Sequence, residues 1–201
     1  MNVQFPRFLR PLWGNVIWCK NPSEKVIYLT FDDGPVPEVT PLVLDILDTY
    51  NVKATFFSVG ENVMKHPETY AEILKRGHKT GNHSFNHLKG FEVSLEEYVA
   101  NVQKAAGYID SKLFRPPYGR ITFKQKKALE SDYQIIMWDL ITHDYNRNLS
   151  PATIMKTVKR YSRNGSIVVF HDSIKAKENV LSVLPQAIDY WKSEGFAFGL
   201  L

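Results

Sequence analysis

The chain has 201 residues, which argues for one domain whose core can stand without disulfide staples. Hydrophobic residues make up 44% and charged ones 23%, a balance that excludes a disordered or fibrous chain. The 25 Lys and Arg against 21 Asp and Glu leave +4 with no dense basic block, so nucleic acid is not an expected partner. The single cysteine, Cys19, excludes an intrachain disulfide framework and a multi-cysteine zinc site.

Residues 1–22 are expected to form an ordered N-terminal arm ahead of a domain spanning 23–201. Arg7 and Arg10 precede an apolar stretch at 12–18, but Pro11, Gly14 and Asn15 interrupt it. No small-residue cleavage site follows, so the stretch does not read as a signal peptide. No apolar run approaches the roughly 20 residues of a membrane-spanning helix. Trp13 and Trp18 are expected to cover part of the domain.

From there, strand-like runs alternate with helix-like stripes. Residues 26–31 form a β-rich run that stops at Asp32-Asp33-Gly34-Pro35. Val39, Leu42, Val43, Ile46, Leu47 and Tyr50 then recur at helical spacing. Residues 54–59 read as a second strand, 62–76 as a helix capped by Gly77, and 78–81 as a third strand. Ser94 and Glu97 resemble a capping box opening a helix to about residue 109, and 112–114 is a brief strand. A helix over about 123–130 leads to a strand at 134–138. Ser150-Pro151 opens the next helix, which ends at Asn164-Gly165 before a strand at 166–170. A helix over about 179–191 and a strand near 196–198 finish the chain.

Six or seven β-then-α units imply a mostly parallel sheet covered by helices. The first strand is followed by neither Gly-x-Gly-x-x-Gly nor a Walker-type loop, which argues against a nucleotide fold. Asp32, Asp33, His83, Arg115, Asp139 and His171 fall at or just past C-terminal strand ends, where β/α barrels collect catalytic groups. The expected class is therefore α/β, a distorted (β/α) barrel with about seven parallel strands.

His83-Ser84-Phe85-Asn86-His87 places two imidazoles four residues apart, which a helical turn would bring to one side to hold a metal ion. Read alone, the pair is equally compatible with an ordinary surface. An oxygen donor would complete a two-His, one-carboxylate set. Asp32-Asp33-Gly34 supplies a candidate, although adjacent acids often mark only a solvated turn. A metal on one carboxylate, with the other free to act as a base, would relieve their repulsion.

Thr30-Phe31-Asp32-Asp33-Gly34-Pro35 and the His83–His87 segment together resemble the NodB-like polysaccharide deacetylases, carbohydrate esterase family four. Lys53-Ala54-Thr55-Phe56-Phe57, Gly77-His78-Lys79-Thr80-Gly81-Asn82, Arg115-Pro116-Pro117-Tyr118-Gly119 and Val169-Phe170-His171-Asp172 continue the resemblance in order, over nearly all of 26–201. It implies a NodB-homology barrel with Asp33, His83 and His87 as metal ligands, Asp32 as general base and His171 as general acid. It also implies Arg115 as the residue orienting Asp32 and the Tyr118 backbone N–H as an oxyanion donor, with Pro117 and Tyr145 on the substrate side. The implied cofactor is one divalent ion, zinc before cobalt or nickel.

A fourth motif departs from the family. Where it often has an Asp, two residues and Asp-Trp, this chain has Ile141-Thr142-His143-Asp144-Tyr145. Asp144 is then expected to partner Arg115, and Tyr145 to keep an aromatic wall while adding a hydroxyl. Asp139 is left as either a support for the site or a structural residue. His66, His78 and His143 read as structural or solvated.

The function expected is metal-dependent removal of N-acetyl groups from N-acetylglucosamine-type residues of a glycan such as peptidoglycan or chitin. An O-acetyl esterase or small-molecule amidase would use the same groups, and a decayed glycan-binding module is a third reading. The motif leaves oligomeric state open. The lack of a clear signal peptide points to the cytoplasm, whereas the family's substrates point to the cell envelope.

Overall fold

The computed structural model describes residues 4–201. Eight strands form one parallel sheet: β1 Val26–Asp32, β2 Thr55–Ser58, β3 Lys79–Asn82, β4 Leu113–Phe114, β5 Gln134–Ile135, β6 Leu140–Ile141, β7 Ile167–His171 and β8 Ala197–Phe198. Seven run in the order β5-β4-β3-β2-β1-β7-β6, and β8 pairs with the first residues of β1. They curl into a half-barrel wrapped by α1 Thr40–Thr49, α2 Gly60–Lys65, α3 Pro67–Lys75, α4 Leu95–Ala106, α5 Phe123–Leu129, α6 Pro151–Tyr161 and α7 Lys177–Ser193. No helix among the described residues is long and apolar enough to cross a membrane.

The central strands read as continuous apolar runs because both their faces are covered. Every residue of β7 is buried. On the outer face Phe31, Phe56 and Phe170 pack under Val43, Leu44 and Leu47 of α1 and Val180, Val183, Leu184, Ile188 and Trp191 of α7. Each such side chain contributes about 1.5–3 kcal/mol by leaving water. This core fixes β1 and β7 as the rigid centre of the sheet.

The N-terminal arm bridges the open side of the curl. Ile17 pairs with Ile136 just past β5, and Cys19 with Ser166 just ahead of β7. Trp18 joins Tyr98, Val102, Phe114 and Leu129 in a second core and stacks on Phe5, while Trp13 stacks on Phe123.

Several elements differ from expectation for local reasons. The helix expected over 62–76 is broken at His66, because Pro67 cannot donate to the helical ladder and restricts the residue before it. Ser94 caps α4 through the Glu97 N–H alone, while the reciprocal capping box lies at Thr122 and Gln125. The strand expected at 134–138 keeps only two residues, and β6 follows it. Asp139 therefore precedes a strand instead of ending one, and lies at the start of β7, away from the C-terminal strand ends. Its buried carboxylate pairs with Arg10 at 2.9 Å and with Arg163, and accepts from Ser166 Oγ at 2.8 Å. Asp139 is structural: it ties the arm to the barrel.

Candidate active site

At the end of β1 the chain turns sharply after Asp32. Asp33 takes a left-handed backbone (φ 83°), which separates the two adjacent carboxylates. The turn is held by Asn62 Nδ2 donating to the Asp33 carbonyl at 2.8 Å and by the Gly34 N–H donating to Asp172 Oδ1 at 3.0 Å. Only glycine fits at Gly34, since a Cβ there would lie 2.0 Å from Asp172 Oδ2. Thr40 donates to the other Asp172 oxygen at 2.6 Å. Burial, before its neighbours, pushes the Asp172 carboxyl up to about 7. The sequence motif contained Asp172, but its support of the Asp33 turn depends on a contact 138 residues away.

His83 and His87 do converge, though not on a helical turn. The segment is an irregular loop with left-handed backbone at Ser84 and His87 (φ 63° and 58°), seeded by the Ser84 N–H donating to Asn82 Oδ1 at 2.8 Å. An Asx-type bond of this kind competes with helix formation. The loop brings His83 Nε2 to 3.8 Å and His87 Nε2 to 3.3 Å from Asp33 Oδ1. One ligand atom from each of the three residues lies within 4.8 Å of the others.

This donor set suits a borderline divalent cation. His83 Nδ1 donates to the Arg115 carbonyl at 2.7 Å, which leaves the Nε2 lone pair facing Asp33. Burial holds His83 down at about 4, so the imidazole is neutral and available as a ligand. At Asp33, burial pushes upward but is outweighed by the His87 hydrogen bond and the fields of His171, His83 and His87. Its carboxyl is held well below the usual range.

Beside this trio stand two further pairs. Arg115, wholly buried, donates to Asp32 Oδ1 at 2.6 Å, Thr30 Oγ1 at 2.8 Å and the Met137 carbonyl at 3.1 Å. Asp144 does not partner Arg115 as expected. Its Oδ1 accepts from His171 Nδ1 at 2.7 Å and its Oδ2 from the His171 N–H at 2.8 Å. The reason is strand order, since Asp144 follows β6 and β6 lies beside β7. Burial would lower the His171 imidazole, but the Asp144 charge and hydrogen bond, with Asp33 and Asp32, raise it to about 9.

Aromatic groups flank the centre. Tyr118, half exposed after the buried Pro117, meets the His87 ring edge-on at 4.5 Å. Tyr145 meets His171 edge-on at 4.8 Å, and its hydroxyl hydrogen-bonds His143 Nδ1 at 2.8 Å. His143 thus steadies the Tyr145 wall, a role its place in a loop did not suggest. His78 is structural: it is buried, and its Nδ1 accepts the Ala54 N–H at 3.1 Å.

The family model for polysaccharide deacetylases matches residues 19–135. A Bacillus cereus peptidoglycan-N-acetylglucosamine deacetylase is 34% identical over 194 residues, spanning 92% of this chain and 90% of that protein. The chain belongs to the polysaccharide deacetylase family. The deacetylase also superposes on a solved peptidoglycan N-acetylglucosamine deacetylase with a TM-score of 0.90 and 31% identity, covering 98% and 95% of the two chains. A carbohydrate esterase family four pseudoenzyme from Bacillus anthracis matches with a TM-score of 0.82 and 26% identity over 92% and 67%. The fold alone therefore does not secure activity, and the chemistry rests on the side chains. The deacetylase has Asp32, Asp33, His83, His87, Arg115, Asp144 and His171 together at one rim.

Proposed function

We propose that this deacetylase hydrolyses the N-acetyl groups of N-acetylglucosamine-type residues in a cell-envelope glycan, acting outside the cytoplasm. One arrangement carries the reading: a carboxylate braced by an arginine and an imidazole braced by a carboxylate stand beside a two-His, one-Asp cluster. Asp33, His83 and His87 would hold one divalent ion, zinc by donor preference. Bound there, the ion would supply Lewis-acid polarisation of the acetamide carbonyl and lower the pKa of a water so that, on losing a proton, it becomes a nucleophile.

The remaining steps belong to the chain. Asp32, its other oxygen tied to Arg115, accepts the proton of the attacking water. The Tyr118 N–H donates to the developing oxyanion, worth about 3 kcal/mol for one well-placed donor. An amide expels its amine only with a proton. His171, raised to about 9 by Asp144, carries one at neutral pH and delivers it from Nε2. That need separates an amide from an ester, whose alcohol leaves more readily.

Acetate release tests the reading, using N-acetylglucosamine oligomers, peptidoglycan fragments and acetylated xylan with metal-free and zinc- or cobalt-loaded protein. Activity is expected on the acetamides and only with metal. Asp32→Asn should abolish turnover and leave metal bound, whereas His83→Ala should lose metal affinity. No hydrolysis of any acetamide at full metal loading would end the proposal, and hydrolysis of esters alone would reassign the substrate.

A further inference from the structure

We infer that the end of the barrel opposite the candidate active site binds the phosphate headgroups of an anionic lipid bilayer. Two stretches of the sequence contain no acidic residue. Residues 1–23 carry Arg7, Arg10 and Lys20, and residues 148–171 carry Lys156, Lys159, Arg160 and Arg163. They hold seven of the 25 Lys and Arg and none of the 21 Asp and Glu, so the rest of the chain is net acidic, with 18 basic against 21 acidic residues. The modest +4 conceals a polarised molecule, and charge asymmetry of this kind points to an anionic partner.

The fold joins the two stretches at one end. Cys19 pairs with Ser166, the Lys20 N–H donates to the Gly165 carbonyl at 2.8 Å, and Gln4 Nε2 reaches the Tyr161 carbonyl at 3.5 Å. All of this lies at the start of β7, while His171 lies at its far end, roughly 16 Å away at strand rise. Between the arm and the loop after α6 is a cavity of about 590 Å³ lined in part by Arg7, Arg10, Arg163 and Asn164. The carboxylate beneath it, Asp139, already holds Arg10, Arg163 and Ser166, and one negative charge cannot neutralise three guanidinium groups. Arg7 is exposed and has no hydrogen-bond or ion-pair partner among the described residues. Lys159 and Arg160 are exposed in the last turn of α6, and Lys156 is exposed one turn earlier.

Charge alone would fit any polyanion. The apolar groups on the same 3-10 segment as Arg7 and Arg10 select a bilayer. Phe8 and Leu12, on the 3-10 segment Arg7–Trp13, are the two most exposed large apolar side chains among the described residues, at 81% and 68%. Arginines on phosphate with aromatic and aliphatic side chains at the acyl boundary is the pattern of an interfacial anchor. Docked this way, the rim bearing His171 faces away from the bilayer, toward an overlying glycan.

The test is cosedimentation of the full chain with phosphatidylcholine vesicles, with and without phosphatidylglycerol. Binding is expected only with the anionic lipid. The triple change Arg7→Gln, Lys159→Gln and Arg160→Gln should weaken it about 100-fold, about fivefold per charge. Phe8→Ser with Leu12→Ser should weaken it at least about tenfold, with acetate release from soluble oligomers unchanged in both variants. Failure to bind phosphatidylglycerol vesicles, or equal binding to pure phosphatidylcholine, overturns the inference. Undiminished binding by the Phe8→Ser, Leu12→Ser variant overturns the lipid assignment in favour of simple polyanion attraction. Full displacement by millimolar inorganic phosphate would overturn it in favour of a free-phosphate site.

Discussion

Replacing Arg115 with methionine tests how the candidate base is held. The guanidinium is wholly buried, sits 4.0 Å from the Phe57 ring and donates to Asp32, Thr30 and the carbonyls of Ile136 and Met137. Methionine replaces much of the aliphatic stem, so little cavity forms, but four acceptors lose their donor. Removing one member of a buried ion pair costs about 3–5 kcal/mol, because the other charge stays desolvated. Asp32 is itself buried, so its charge stays desolvated and we expect a loss of about 4 kcal/mol for Arg115→Met. In a chain of this size that lowers the melting temperature by about 8–16 °C. Arg115→Lys keeps the charge but not the fork, and should cost about half as much. Adding Asp32→Asn to Arg115→Met removes the stranded charge and should restore part of the loss. Urea unfolding of the four proteins measures each term. The reasoning is refuted if Arg115→Met lies within about 1 kcal/mol of wild type, or if the double variant is no more stable than Arg115→Met.

Asp144→Asn keeps an acceptor for the imidazole but removes the charge that raises it, so the alkaline limb of kcat should move at least about one pH unit lower. Because the folded imidazole is raised from 6.5 to about 9, its contribution to stability is complete below about pH 6.5 and is lost as pH rises through 9. The variant should show a smaller slope than the roughly 3 kcal/mol of wild type, since Asp33 and Asp32 still raise the imidazole, and an unmoved limb would detach Asp144 from the acid. Gly119→Ala should lose about 2–4 kcal/mol, since the residue has φ +64° and a Cβ would lie 2.5 Å from Trp138. An unchanged melting temperature would contradict that packing.

Much of this site could be read in the sequence because its groups lie in short motifs at the ends of strands. The apolar runs at 26–31 and 166–170 are long enough to announce β1 and β7, and Asp32, Asp33 and His171 follow them directly. The bond between Asp144 and His171 could not be read in the same way. The two are 27 residues apart, and their meeting depends on β6 lying beside β7, whereas β6 has only two residues and no periodicity to reveal it. Missing β6 also put Asp139 at the wrong end of the barrel. Arg115 reaches Asp32 although β4 and β1 are separated by two strands, because the curl of the sheet turns both into one interior. Local sequence thus identifies which groups are available, and strand order decides which of them meet. The same holds at the far end, where two acid-free stretches unremarkable on their own form one basic face only because Cys19 pairs with Ser166.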